Sequence, residues 1–586
     1  MHYISDVIVT AERTKQQVKS ISPFQQLNKK QLQQQGITDI ADALRRFSGV
    51  NIKDYGGAGG MKTISVRSLG AKHTAVVYDG VTLSDCQSGQ IDLSRFSIDN
   101  IQQISLTIGD NEDIFVPART VASAAALKLQ SISPDFSNKK NHLTGQIKTG
   151  SFGMINPLIR YEQKFNEKIS ASTTDEFMRA DNLYPFTLVN GDYVSKEKRY
   201  NNNIQTYRGE LNLYISPNNR STLNGKIYYY DTDQQLPGAV ILYNAKSREK
   251  LRERNFFSQV HYRTYWENNL SLLINGKFNW SQSHYHDEGG KYPGGELNDR
   301  YFQREYYTSG ALLYTPTSHW SMVYAADYIY NNLNANTPNN TSPYRHSILQ
   351  TVTLRYQTDN ITAVAILLGS IYLNGAKEGN GAENRRKLSP SFSFSWKPCT
   401  DGQLYLRASY KDIFRVATFS ENYFDRMGSR DLRPEKAQQY NVGITYQNNF
   451  TSWLPAISLT LDGLIIAVVV DAEGAHTAVK GVHDVHRVLV VGVGEDHELG
   501  HQGKALEGEL QLTHAAVVVQ MVVVDVQHDG EVGSQLQEGL GELAGFDDDV
   551  IALAGLAVAV DEGQLDRKST RLNSSHVALS RMPSSA

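Results

Sequence analysis

The residues with the plainest chemical spacing are His497, Glu498 and His501. His497-Glu498-Leu499-Gly500-His501 is an H-E-x-x-H string. On a helix its two imidazoles would share one face and hold zinc, with the glutamate as general base for hydrolysis. That chemistry needs a helix, and Gly492, Gly494, Gly500 and Gly503 surround the string, each weakening a helix by roughly 1 kcal/mol. A third ligand is also missing. The extended motif needs Gly three residues after the second His and His three further on, but Lys504 and Glu507 stand there, and Met521 stands where a later Glu would serve. Eight of the 16 His lie beyond residue 475, so such a string arises readily by chance. A zinc metallopeptidase is the last of the readings; no catalytic residue, metal or cofactor is expected.

Two glycine-containing loops offer a different chemistry, that of binding. They are Asp54-Tyr55-Gly56-Gly57-Ala58-Gly59-Gly60 and Ser84-Asp85-Cys86-Gln87-Ser88-Gly89-Gln90. Glycine lets a backbone approach a ligand closely. Tyr55 offers a stacking face, and Asp54, Asp85 and Gln87 offer hydrogen bonds. Plain turn geometry is the competing explanation of the glycines. Cys86 reads as a small buried filler.

The elements that must position these loops form a small mixed α/β unit. Asn28 to Gly36 and Thr38 to Phe47 read as short helices, with Asn28 and Thr38 as caps and Gly36 as a left-handed stop. Ile40, Leu44 and Phe47 share one face of the second. Strands are expected at Thr63 to Arg67, Thr74 to Tyr78 and Ile101 to Ile108, with Asp79-Gly80 as a tight turn. Arg67 is expected to form ion pairs inside this unit or with a surrounding wall.

The order Asp6-Val7-Ile8-Val9-Thr10-Ala11, Asp42-Ala43-Leu44-Arg45-Arg46 with Ser48-Gly49-Val50, Ile64-Ser65-Val66-Arg67 and Val76-Val77-Tyr78-Asp79-Gly80-Val81 resembles the plug domain of TonB-dependent outer-membrane receptors. Asp6 to Ala11 is similar to the TonB box, the segment on which TonB, with its inner-membrane energising complex, pulls. The resemblance implies that both glycine loops face the outside of the cell. It breaks where the family commonly has Arg-Gly-Pro and Tyr-Gly-Ser clusters; here stand Ile108-Gly109-Asp110-Asn111-Glu112-Asp113 and Pro117-Ala118-Arg119.

The next segment reads as barrel strands from its own pattern. Leu272, Ile274, Gly276, Phe278 and Trp280 alternate with Ser271, Asn275, Lys277 and Asn279, Leu273 being the exception. Trp320 to Tyr330 and Gln403 to Lys411 alternate likewise. Period-two alternation over about 10 residues marks a transmembrane strand between lipid and a polar lumen. A soluble sandwich alternates too, but it lacks the succession of short polar turns and long Gly- and Asn-rich loops, such as Asp181 to Asn203, His286 to Asp299 and Asn331 to Arg345. Tyr228-Tyr229-Tyr230 and Tyr306-Tyr307 are expected in interfacial girdles. Tyr285 and Tyr292 are candidate contacts if they point inward. Phe414-Arg415, Gly428, Asp431-Leu432-Arg433-Pro434-Glu435-Lys436 and Tyr440-Asn441-Val442-Gly443 resemble the late barrel of the same receptors. About 14–15 strands precede Gly463, against about 22 in the family's barrel.

Composition then changes. No Tyr follows Tyr446, no Trp follows Trp453, and Val becomes dense from about Leu464. Val codons read on the opposite strand encode Asn, Asp, Tyr or His, and Asp566 to Val577 resembles a translated sequencing adapter. The expected division is a TonB box and linker (1–15), plug (16–140), partial transmembrane barrel (141–463) and an unrelated tail (464–586) from an assembly join near Asp462 to Ile466. The signal peptide and the closing strands are expected to be missing from this chain.

Net charge is −3, which gives no basic excess for nucleic acid. Cys86 and Cys399 cannot form a disulfide framework. The reading is an outer-membrane receptor fragment, in contact with lipid, for energised uptake of a small molecule or metal chelate: cobalamin, whose transporter branch the plug spacing most resembles, or a ferric siderophore or haem. A non-energised barrel or adhesin is the alternative.

Overall fold

The computed structural model describes residues 20–56, 60–110, 112–240, 247–290, 292–337, 340–398, 404–424 and 428–448, and the backbone of three later strands, Ile457–Val469, Val488–Val490 and Gln520–Val523. Residues 6–11 and 497–501, which carry the TonB-box and H-E-x-x-H readings, lie outside the described residues, as does Gly57.

The N-terminal unit is a five-stranded sheet in the order Phe24–Asn28, Ile101–Ile108, Ala125–Ser131, Thr74–Tyr78, Val81–Thr82. Only the pair Thr74–Tyr78 with Ala125–Ser131 is parallel. Beside it lie the hairpin Val50–Asp54 with Lys62–Val66 and two helices, Lys29–Gln34 and Ile40–Arg45. Asn28 and Gln31 form a capping box. The second helix is capped by Asp39, not Thr38: the Asp39 carboxylate accepts the Asp42 amide at 2.7 Å. A carboxylate at this position also complements the helix dipole, which a hydroxyl does not. Ile40, Leu44 and Phe47 are buried against Ile104, Leu106 and Leu127. The strands Phe24–Asn28 and Ala125–Ser131 were not anticipated, because neither alternates cleanly enough to stand out in the sequence.

Asp79 and Gly80 join Thr74–Tyr78 to Val81–Thr82 with φ of 46° and 84°. Two positive φ values in a two-residue loop suit the right-handed twist of a hairpin, hence Asp-Gly. A Cβ on Gly80 would lie 3.0 Å from the His261 ring of the surrounding wall. Gly80→Ala is expected to cost about 1–2 kcal/mol from the left-handed backbone, plus the displacement of His261. Denaturant unfolding of the variant checks this; an unchanged midpoint would refute it.

Around this unit runs an antiparallel sheet in which each long strand, from Asn141–Gly150 to Ile457–Val469, pairs with its predecessor; only Pro185–Asn190 and Tyr193–Lys198 stand apart, as a hairpin within a loop. This gives fifteen long strands, and the ring is completed by Val488–Val490 and Gln520–Val523, both registered against Ile457–Val469. That last long strand runs unbroken across the composition change near residue 464.

The ring is inside-out relative to a soluble protein. In Leu270–Asp287, Ser271, Asn275, Lys277, Asn279 and Ser281 are buried, while Ile274 on the opposite face is exposed. Leu312, Met322, Val352 and Leu367 on neighbouring strands are exposed likewise. Polar side chains fill the lumen against the plug and apolar ones face outward, as a lipid-facing barrel requires and a sandwich does not. Leu273, the break in the pattern, faces the lumen in an apolar patch that receives Ile114, Phe115, Ala118 and Val121 of the plug.

Alternation also corrects the girdle expectation. Tyr229 faces out, but Tyr228 and Tyr230 face in and are buried against the plug, Tyr228 stacking on Phe257 at 4.7 Å. Tyr306 faces out and Tyr307 in. Residues i and i+1 of a strand cannot share a face, so a run of tyrosines divides between lipid and lumen. At one rim the connections are short: 165–168, 266–269, 315–319 and 358–360. At the other they are long, as in 181–203, 288–296 and 416–434, apart from the tight turn at 151–153.

Candidate functional site

The plug is held by charges that the lumen wall presents. Glu305, 2 % exposed, receives two hydrogen bonds from Arg119 of the plug, at 3.1 and 3.2 Å, and pairs with Lys277 at 3.1 Å. Ser84 donates to the same carboxylate. Asp327 accepts the Ala118 and Arg119 amides at the start of the short helix Ala118–Val121. Lys226 lies between Asp79 and Glu210 and sits 3.9 Å from the centre of the Tyr78 ring. Lys411 pairs with Asp110 at 3.0 Å. Asp110 and Arg119 belong to the segment that departs from the family pattern, and both are anchors.

Arg67, with φ of 47°, reaches the wall through a 3.1 Å hydrogen bond to Asn441. Its wall partner there is an amide, not the carboxylate of an ion pair. Asp79 accepts the Ser131 amide and hydroxyl as well as pairing with Lys226.

The described residues of both glycine loops lie toward the rim that carries the long connections, where Tyr55 and Gln90 meet Arg415 and Glu435. The second is roofed by the helix Phe419–Tyr423, which belongs to the connection 416–434. The Phe419 amide donates to the Cys86 carbonyl and the Ser420 amide to the Gln87 carbonyl, each at 3.0 Å. Asp85 accepts from Gln303 of the wall at 2.9 Å, so its carboxylate is already engaged. Cys86 is held by Gln303 through its amide and its thiol, and burial pushes the thiol pKa well up. Cys86 is partly buried, packed beside Tyr301, Leu333 and Phe419. In the first loop, Asp54 pairs with Arg45 at 3.3 Å and its carboxylate accepts the Gly56 amide, so it serves the plug's own hairpin. Tyr55 lines a cavity of about 250 Å³ with Lys53, His73, Gln90, Arg415 and Glu435. A second cavity, of about 210 Å³, continues past Lys72 and Arg415 to Asp85, Arg119, Arg345 and Tyr372. Tyr285 does point inward and is buried.

Between the two cavities lies an ion cluster that the sequence reading missed. Arg415 donates to Glu421 at 2.9 and 3.2 Å and to Glu435 at 2.7 Å. Lys72 of the plug donates to Glu421, and His73 contacts Glu435 at 2.9 Å. Burial alone would raise the Glu421 pKa, but hydrogen bonds from Arg415 and Lys72 outweigh it and hold the carboxyl at about 2. The cluster thus ties plug, barrel rim and roofing helix together. Its only signal in the sequence was Phe414-Arg415 and Glu435, which carry the family likeness; Lys72, His73 and Glu421 carried none.

Residues 16–115 match the model of the TonB-dependent Receptor Plug Domain, and residues 327–463 match the TonB dependent receptor-like β-barrel. The plug and barrel are those of a TonB-dependent receptor. The barrel match ends at the composition change, and the receptor's fold recurs in solved structures of low identity. The copper transporter OprC is 12% identical with a TM-score of 0.58, over 73% of this chain and 68% of that one. The siderophore receptor PirA from Pseudomonas aeruginosa is 11% identical with a TM-score of 0.55, over 80% and 78%. The ferric citrate transporter FecA in its unliganded form is 12% identical with a TM-score of 0.56, over 77% and 70%. Members of the family are outer-membrane β-barrel transporters, not enzymes.

Proposed function

We propose that this receptor takes up an anionic metal chelate of the siderophore class across the outer membrane, energised by TonB acting on residues 6–11. The observation that carries the reading is the pair of cavities between plug and long-loop rim, where Lys53 and Arg345 add cations beside Lys72 and Arg415, which are themselves paired with Glu421 and Glu435. Ferric catecholates and citrates are anionic, so such a lining suits them. The copper and iron-chelate transport named for the similar folds is consistent with this class. The cobalamin reading rests on plug spacing alone.

Of the loop residues expected to touch ligand, Tyr55 and Gln87 remain in the proposal as a stacking face and a polar contact, with Gly56 and Gly57 giving backbone access. Asp54 and Asp85 are committed to partners within the protein. The test is binding of ferric citrate, a ferric catecholate, haem and cobalamin to the purified full chain. A ferric chelate should bind, and Tyr55→Ala should weaken it by about tenfold, the effect of about 1.4 kcal/mol. Binding of cobalamin alone would move the receptor to the other branch, and unchanged affinity in Tyr55→Ala would remove that loop from the site.

A further inference from the structure

The plug sheet has a face that the plug core does not use. On the paired strands Ile101–Ile108 and Ala125–Ser131, Ile104, Leu106, Leu127 and Leu129 turn into the core. Their neighbours Gln103, Ser105, Lys128 and Gln130 therefore turn the other way. Register places Lys128 between Ser105 and Val77. This face meets the lumen wall across a cavity of about 340 Å³, a volume within the range of small-molecule sites. The wall residues Tyr214, Asn224, Arg263 and Leu273 line it within four residues of strand ends at the short-connection rim. The cavity shares no lining residue with the two at the long-loop rim.

The polar atoms around this cavity do not satisfy one another. Among the described residues, the Lys128 ammonium makes no ion pair and no hydrogen bond. Arg263 approaches Asp113 at 3.8 Å, and its buried Nε has no acceptor. Lys226 is committed to Asp79 and Glu210, and His261 to Asn275 at 2.7 Å. Gln259, 4 % exposed, donates to the Tyr78 carbonyl at 3.0 Å, which leaves its buried Oε1 without a donor. Burial lowers the pKa of the Lys128 ammonium; Asp113 opposes that shift and Arg263 adds to it. Two cations thus repel each other beside an acceptor that lacks a donor.

Charges and polar groups held away from water are costly unless something pairs with them. A ligand that completes this set carries one anionic group for Arg263, another for Lys128, and a hydroxyl that donates to Gln259. A guanidinium takes a carboxylate through parallel N–H bonds, and an ammonium takes one as a point charge. Carboxylates flanking a hydroxyl define the hydroxycarboxylates. A simple dianion would leave the Gln259 oxygen facing it unpaired, and a neutral sugar would leave both cations uncompensated.

We propose that this cavity is a second, inner site that binds a small hydroxycarboxylate, Lys128 and Arg263 taking its carboxylates and Gln259 its hydroxyl. It goes beyond the uptake reading and does not depend on which chelate the outer cavities take. The full chain, purified in dodecyl maltoside micelles, would be titrated calorimetrically with metal-free citrate and with tricarballylate, which keeps the carboxylates and lacks the hydroxyl. Citrate should bind about tenfold more tightly than tricarballylate, the effect of one buried hydrogen bond. Lys128→Met should weaken citrate binding by about tenfold or more. Citrate should also raise the urea midpoint of the wild type and leave that of Lys128→Met in place. Absence of citrate binding, equal affinity for the two acids, or unaltered citrate affinity in Lys128→Met would each overturn the site. A chain that binds no ferric chelate but binds citrate through Lys128 would overturn the uptake reading and leave this site standing. A chain that binds a ferric chelate but whose citrate binding ignores Lys128 would overturn this site alone. Heat-modifiable mobility on a gel reports the folded barrel. If Lys128→Met lacks the folded band, Lys128→Gln takes its place, with the same loss expected and an unaltered affinity refuting.

Discussion

Replacing Glu305 by alanine is expected to loosen the plug in the barrel by about 3–5 kcal/mol, the cost of breaking a buried ion pair from one side. Glu305 is 2 % exposed and its partner Lys277 1 %. Lys277 also donates to the Thr82 carbonyl of the plug at 3.2 Å. Removing the carboxylate leaves Lys277 and Arg119 facing each other with no anion between them, and strips the Ser84 hydroxyl and the Asn331 amide of their acceptor. Coulomb repulsion and lost hydrogen bonds therefore add to the desolvation that both cations already bear. Limited proteolysis of the plug and urea unfolding of the refolded receptor measure the effect. Glu305→Gln keeps the shape and some acceptor capacity, so its loss should be smaller than that of Glu305→Ala. A Glu305→Ala midpoint within error of wild type would show that this cluster does not hold the plug.

Val9→Pro is expected to reduce energised uptake to the level seen without TonB while leaving ligand affinity unchanged. An extended Val7-Ile8-Val9 segment can add a strand to an exposed sheet edge of a partner, with main-chain hydrogen bonds giving most of the affinity. Proline at position 9 removes one donor and fixes φ near −65°, and it is tolerated only where the ladder does not need that N–H. Val9→Ala keeps the donor and should retain most uptake. The comparison separates loss of pairing from loss of side-chain bulk. Full uptake by Val9→Pro would remove residues 6–11 from the coupling site even if the receptor still binds its solute, whereas loss of binding in both variants would indicate damage to the plug.

Several elements were legible because their causes are local. The Asn28–Gln31 capping box, the Asp79-Gly80 hairpin turn and the Ile40/Leu44/Phe47 face each depend on residues within one or two turns of each other, and the structure has all three. The strands Thr74–Tyr78 and Ile101–Ile108 were read with their observed limits. Three strands of the plug sheet, Phe24–Asn28, Val81–Thr82 and Ala125–Ser131, were missed because they are short or buried on both faces, so alternation gives no signal. At the site, Tyr55 and Gln87 could be suspected from glycine-rich surroundings, but nothing local distinguished Asp54 and Asp85, already engaged by Arg45 and Gln303, from free contacts.

The period of two by itself determined which residues of a barrel strand share a face, because successive side chains must point to opposite sides. Which face is inside, and what it meets there, was decided by the tertiary structure. Tyr228 and Tyr230 looked like membrane anchors and are packed on the plug. Arg119 and Glu305 are 186 residues apart in sequence and share two hydrogen bonds. Lys72 meets Glu421 across 349 residues, and Arg67 meets Asn441 across 374. Alternation says that such a charge faces the lumen, but only threading the plug through a closed ring brings its counter-charge within reach. An isolated charge in that lumen would be too costly to bury, so the pairing is a property of the assembled fold and not of any segment of the chain.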